Sequence, residues 1–413
     1  MSLDTDVFAP EGIVPKLRTD LEHSSLDKGH KTVVIKDRSN ARYYYMREEE
    51  LSLLQLCDGH RSVSKIHACF IEQSGKYIEI DSIREFLRRI EVAGLLQSQR
   101  HQGEQKVPEN SSRIRSKSVL YWRIKAIDPD RFLGRLVPIT NKLFTPYFGC
   151  LCALIVTAAI SMLIRHHGEF SNSLQSGGLA VFLVTLLISF GICVIHELSH
   201  GLACKHWGGE VHELGFLLIY FNPALYCNVT DAWLFPRKRH RVFTMAAGTA
   251  CDALVGAFFV FSWWLTMQFE FINTVFAMVV LIIELKILAN LNPLIRLDGY
   301  YVLSDILGLP NLRKRAFHFT WSTISPRLKV DAKDAHLPVS TKFTLFLYAV
   351  LAAPFSVLFL VWTLHRIAWV VVGSAGLIDW AVTAILALIV FRVQVVKAMG
   401  ELRAWLTGTS RIQ

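Results

Sequence analysis

The stretch Ile188-Ser-Phe-Gly-Ile-Cys-Val-Ile-His-Glu-Leu-Ser-His-Gly-Leu-Ala-Cys-Lys-His-Trp-Gly-Gly209 decides how this chain is read. It is an apolar helix carrying His196, Glu197 and His200, three residues that hydrocarbon should reject. Four residues advance a helix by about 400°, only ~40° past a full turn, so the two histidines project from nearly one side and can chelate one ion. Zinc suits imidazole nitrogens, and the glutamate between the ligands is in place to take a proton from a water that the ion activates. On a soluble helix the same spacing is as often a solvated charged face. Within a membrane span, ionisable groups are costly and mark function.

The rest of the composition supports a membrane setting. Of 413 residues 52% are hydrophobic, mean hydropathy is +0.35, and nearly all long apolar runs follow residue 146. Asp4, Asp6, Glu11, Lys16, Arg18, Asp20 and Glu22 interrupt the first thirty residues, so a cleavable signal peptide is not expected. The net charge of +10 resides in alternate loops between spans, so nucleic acid is not needed to explain it. The eight cysteines show no disulfide framework and no four-cysteine zinc spacing, and read as reduced, small apolar residues.

Six spans are predicted, at about 147–164, 178–204, 242–267, 272–291, 343–364 and 377–396, each long enough to cross ~30 Å of hydrocarbon. A run at 367–372 reads as a re-entrant or interfacial piece that would raise the count to seven. Lys205, Arg237, Lys238, Arg239 and Arg241 fill one inter-span loop, and eight further Lys and Arg fill 292–342, whereas the intervening loops hold Arg165, none, and Arg366. That alternation places both termini in the cytosol and the His-Glu-Leu-Ser-His turn near the cytosolic end of span two. An integral protein of a bacterial cytoplasmic membrane is expected.

Ahead of the spans, residues 1–29 read as a flexible leader. Lys31-Thr-Val-Val-Ile-Lys36 and Ala41-Arg-Tyr-Tyr-Tyr-Met46 form a predicted hairpin, and helices follow at 48–56, 62–70 and 81–93. A hairpin with three helices suggests a small winged-helix domain over 30–98. Leu53-Leu-Gln-Leu-Cys-Asp-Gly-His-Arg-Ser-Val-Ser-Lys-Ile66 resembles the Asp-Gly turn of PqqD-like domains, which implies that a leader peptide adds as a strand to the sheet of Val33–Ile35 and Arg42–Tyr45. The alternative is a regulatory or DNA-binding winged helix, but helix 62–70 offers only Lys65 and His67 to phosphate. Residues 99–146 read as a polar linker followed by a basic amphipathic interfacial helix over 119–148.

A catalytic zinc needs a third protein ligand. Asp298 is the best donor, because Pro293 should break span four and Gly299 permits a turn just after the carboxylate, on the side where His200 lies. His206 and His212 compete. Val211-His-Glu-Leu-Gly-Phe-Leu-Leu-Ile-Tyr220 is β-prone and reads either as an edge strand that extends a substrate, with Val211 and Leu214 in contact, or as a re-entrant loop plugging the site. Glu284 and Lys286 lie two apart on span four and take no assigned role.

Here the chain resembles the site-2 protease family of intramembrane zinc metalloproteases, through His196, Glu197 and His200, and through Asn292-Pro293 with Leu297-Asp298-Gly299. It is more closely similar to a peptide zinc metalloprotease branch, on Gly208-Gly-Glu-Val-His-Glu-Leu-Gly215, Asn222-Pro-Ala-Leu-Tyr-Cys-Asn-Val-Thr-Asp-Ala-Trp233 and Asn292-Pro-Leu-Ile-Arg-Leu-Asp-Gly-Tyr-Tyr301. The resemblance implies Zn2+ on His196, His200 and Asp298, Glu197 as general base, and Asn292 in substrate binding. Ser199 stands where many members have glycine. Asp252 stands where the family often has an asparagine, so a substrate-binding role there would bring an extra negative charge. The fold expected is therefore a mainly α, polytopic helical membrane protein of about six spans, with a metalloprotease domain over 147–413, its core spans within 178–301, and a small α+β winged-helix domain in front. The function expected is hydrolysis of a peptide or membrane-protein substrate in the lipid bilayer, with export or peptide-modification machinery as a further partner. The alternative is a non-catalytic membrane component of such an assembly that binds a leader peptide.

Overall fold

The computed structural model describes residues 14–26, 32–37, 42–75, 77–97, 114–118, 121–219, 221–324, 337–372 and 380–388. Among these, five helices are long and apolar enough to cross a membrane. They are α5 (Pro146–Arg165), α7 (Leu179–His206), α8 (Lys238–Leu265), α9 (Glu270–Leu291) and α12 (Val339–Val372). The protein is thus mainly helical and membrane-spanning in character, with a small strand-containing N-terminal region.

Three of the helices, α7, α8 and α9, pack on one another. Val181 and Ile192 of α7 meet Val275, Val279 and Ile283 of α9, while Ala257 and Val260 of α8 close on Ala159 of α5 and Val280 of α9. Small residues at that second seam let the helix backbones approach closely. At the end of α9 the amide of Leu294 donates to Asn292 Oδ1 at 2.9 Å, Pro293 follows, and the chain turns into α10 (Asp298–Leu307). Arg313, from α11 (Leu312–Ile324), ties this break down by donating to the Leu294 carbonyl at 2.6 Å.

The N-terminal region holds β1 (Leu21–Leu26), β2 (Thr32–Asp37) and β3 (Arg42–Arg47), then α1 (Glu48–Gln55), α2 (Val63–Ser74) and α3 (Ile80–Val92). Ser62 caps α2 by accepting from the Lys65 amide, and Gly75 ends it in the left-handed region at φ 65°. Val33, Ile35, Leu53, Leu54, Ile66, Phe70, Ile83 and Leu95 form a closed core of their own. The predicted hairpin and three helices are present, but the stretch read as a flexible leader contributes β1, which makes β2 the centre strand.

The larger departure is a second sheet, antiparallel in the order β4 (Ile114–Ser118), β5 (Tyr121–Ile127), β6 (Leu214–Ile219), β7 (Asn222–Cys227). The helix expected over 119–148 is replaced by strand β5, then α4 (Asp130–Thr140), a 3-10 turn and the start of α5. Trp122, Arg123, Ile124 and Lys125 alternate in a way that suits a strand as well as a basic helix, and only pairing with β6, some ninety residues on, decides between them. Gly215 is obligatory there, since a Cβ would sit 2.1 Å from the Ile124 carbonyl oxygen. The expected edge strand β6 is accordingly flanked on both sides, and β7 takes the edge.

The expected re-entrant piece at 367–372 is instead the end of α12, which absorbs Pro354 without stopping. Of the sixth predicted span, residues 380–388 are helical and the rest lies outside the described residues.

Candidate metal centre

His196 and His200 are both buried on α7, and each ring is held from behind. His196 Nδ1 lies 2.8 Å from Asp252 Oδ2 of α8, and His200 Nδ1 lies 2.8 Å from the Thr244 carbonyl of the same helix. A carbonyl and a carboxylate can only accept, so both Nδ1 atoms donate and both neutral rings turn a lone pair outward at Nε2. Those two lone pairs face each other at 3.2 Å, and Asp298 Oδ2 lies 3.3 Å from one and 3.4 Å from the other. Burial pushes the Asp298 carboxyl up, but the two imidazoles, His200 foremost, more than reverse this and hold it below the ordinary carboxylate range. Three electron-rich donors therefore converge on one point with no cationic side chain between them.

That arrangement is unfavourable by itself and fits a cation. Zinc bonds of about 2.0–2.1 Å at tetrahedral angles place neighbouring donors about 3.3–3.4 Å apart, which is the spacing seen. Two imidazoles and a carboxylate are also a donor set that zinc accepts. Space is reserved as well: a Cβ on Gly248 would stand 2.3 Å from His200 Nε2 and 2.7 Å from His196 Nε2. His196, His200 and Asp298 form the one group among the described residues able to hold a metal ion.

Glu197 sits one residue along α7, partly buried, against the Cys227 backbone amide at the end of edge strand β7. Thr249 donates to Asp298 Oδ2 at 3.3 Å, and Asn290 Nδ2 comes within 3.4 Å of His196 Nε2. The residues expected to touch substrate engage protein partners. Asn292 is spent on the turn after α9, and both Asp252 oxygens are taken, Oδ2 by His196 and Oδ1 by Lys286 Nζ at 3.0 Å. Val211 is fully buried, its amide donating to Asp130 Oδ1 at 2.8 Å, and Leu214 is buried where β6 begins. His206 instead stacks on Phe144, and exposed His212 faces Asp128.

Sequence reasoning assigned nothing to Thr244, Gly248, Thr249, Lys286 or Asn290. A signal existed for Lys286, since a lysine in an apolar span needs a partner.

The N-terminal sheet docks close by, on the 3-10 turn Thr230–Leu234 between β7 and α8. Lys36 Nζ lies 2.8 Å from Asp231 Oδ2 and 2.8 Å from Glu210 Oε2, and the Tyr43 hydroxyl donates to Asp231 Oδ1. Burial would lower the Lys36 pKa, but its two carboxylates raise it overall, while burial and then Asp231 push the Tyr43 phenol up.

No family model and no solved structure matches this chain. It is similar to a curated relative from Bacillus subtilis (strain 168) named "Putative peptide zinc metalloprotease protein YydH", 25% identical over 147 residues. The match covers 35% of this chain and 56% of the relative, so the chain spans little more than half of that protein's length.

Proposed function

We propose that this chain is a membrane-embedded zinc endopeptidase of the site-2 protease type, in which His196, His200 and Asp298 hold the metal and Glu197 is the general base. The observation that carries the reading is the convergence of three lone-pair donors, each Nδ1 turned away by a partner, beside a glutamate on the same helix. Zinc bound there would polarise a scissile carbonyl and acidify the attacking water. Glu197 takes the proton from that water and returns it to the leaving amine, which needs a carboxylate within reach of both. An extended substrate fits beside β7, whose outer edge pairs with no strand among the described residues and which ends against Glu197. The name of the Bacillus relative agrees with peptide hydrolysis.

The N-terminal region acts in this reading as a PqqD-like peptide-capturing domain, held to the catalytic half through Lys36, Tyr43 and Asp231. The alternation of basic loops supports an orientation with both termini and the metal centre toward the cytosol. Against a purely structural metal, which is ordinarily closed by four protein ligands, only three converge among the described residues.

The test is metal analysis of the detergent-purified chain, together with cleavage of a quenched-fluorescence peptide bearing an apolar segment, for the parent and Glu197→Gln. The variant is expected to keep its zinc and lose turnover by about 10²–10⁴-fold. Equal turnover by the two proteins would remove the protease assignment.

A further inference from the structure

Lys286 lies beside the site, and the metal reading does not by itself require it. It belongs to α9, in the membrane, and its ammonium lies 3.0 Å from Asp252 Oδ1. Asp252 is 1% exposed and divides its two oxygens between partners of opposite purpose, Oδ1 to the lysine and Oδ2 to His196 Nδ1. Held by His196 alone, that carboxylate could turn about its side-chain torsion and lose its aim at Nδ1.

We propose that Lys286 is a positioning residue for the metal centre: it fixes the orientation of the Asp252 carboxylate, and through it holds the His196 ring with Nδ1 turned to Asp252 and Nε2 turned to the metal. The proposal rests on the zinc reading above and extends it to a relay running from Lys286 through Asp252 to His196, across α9, α8 and α7. Carboxylates behind a ligating histidine fix its tautomer and raise its basicity, so their loss typically weakens metal binding by about 10–100-fold. The charges around the site agree with this assignment. Lys286 gives the Asp252 carboxylate a charged partner on the oxygen that His196 does not engage. His200 needs no such pair, because the Thr244 carbonyl that holds it is uncharged.

A salt bridge that merely joins α8 to α9 would have the same distances, so the test separates metal binding from stability. Three full-length proteins are compared in detergent: the parent, Lys286→Met, and the double variant Asp252→Asn with Lys286→Met. The double variant buries no unpaired charge and keeps an acceptor near His196, so it is expected to melt close to the parent. Zinc affinity, read by competition with a chromophoric chelator, is expected to fall by about 10-fold or more in both variants. The ligand-field bands of the cobalt-substituted proteins are expected to shift with it. Parent-like affinity and bands in a folded double variant would overturn the relay while leaving the zinc reading intact. A parent that takes up neither zinc nor cobalt would overturn both.

Discussion

Two of the places where the described residues bury charge are built differently. Where the N-terminal sheet meets the turn at Thr230–Leu234, every group has a complement: Lys36 donates to Asp231 and Glu210, Tyr43 donates to Asp231, and the Glu210 amide does so too at 2.9 Å. Between α7 and α10 the lone pairs outnumber the donors, with two imidazole nitrogens and a carboxylate oxygen turned toward one another. A satisfied cluster explains itself as a joint between two parts of the chain. An acceptor-rich one is a candidate site, because a cation there would stabilise it.

The sharpest way to break that contrast is to strip the metal. Chelator treatment is expected to abolish peptide cleavage and added zinc to restore it, with the N-terminal joint unaffected by limited proteolysis between the two parts. Persistence of cleavage after metal analysis shows the ion gone would undo the contrast. Gly248→Ala should come next. Its methyl would stand 2.3 Å from His200 Nε2, so zinc content and activity should fall together while helix content by circular dichroism stays at the parent level. An alanine protein with full zinc would mean that the donors are not packed as described.

Effects at the joint should be thermodynamic rather than chemical. Lys36→Met leaves Asp231 buried with one strong donor fewer, and breaking one partner of such a pair costs about 3–5 kcal/mol. It should appear as easier release of the N-terminal region, with zinc content unchanged. Tyr43→Phe removes a single hydrogen bond to a charged group, worth about 1.5–3 kcal/mol, so the shift should be smaller. The pH dependence follows the Lys36 shift. Its pKa is raised in the folded state, so its contribution is complete below the ordinary lysine range and is lost only as pH climbs above it. Dissociation of the two parts on mild acidification to pH 6 would contradict that sign.

Local pattern carries some of these features and not others. The i, i+4 histidines with their glutamate, the Asn-Pro break and the Leu-Asp-Gly turn are each written within a few neighbouring residues, so the two halves of the candidate metal site were legible before any fold was known. The helices of the N-terminal region were legible for the same reason, since Ile83, Phe86, Leu87 and Ile90 repeat at helical spacing. Strand β5 was not, because Trp122 to Lys125 satisfies either period until β6 supplies hydrogen bonds. The partition of Asp252 between Lys286 and His196 was likewise hidden, since it depends on how α7, α8 and α9 are rotated about their axes.

The sequence alone thus determined the chemistry available: an apolar chain with two imidazoles, a base and a distant carboxylate, all properties of single helices and turns. Only the tertiary structure decided what stands behind each imidazole, which strand lies at the edge of the second sheet among the described residues, and which buried charges are already matched. Hydrophobic periodicity reports the face a helix turns inward, whereas a hydrogen bond between two buried side chains requires their helices to be set to within about an ångström, and that precision is a property of packing.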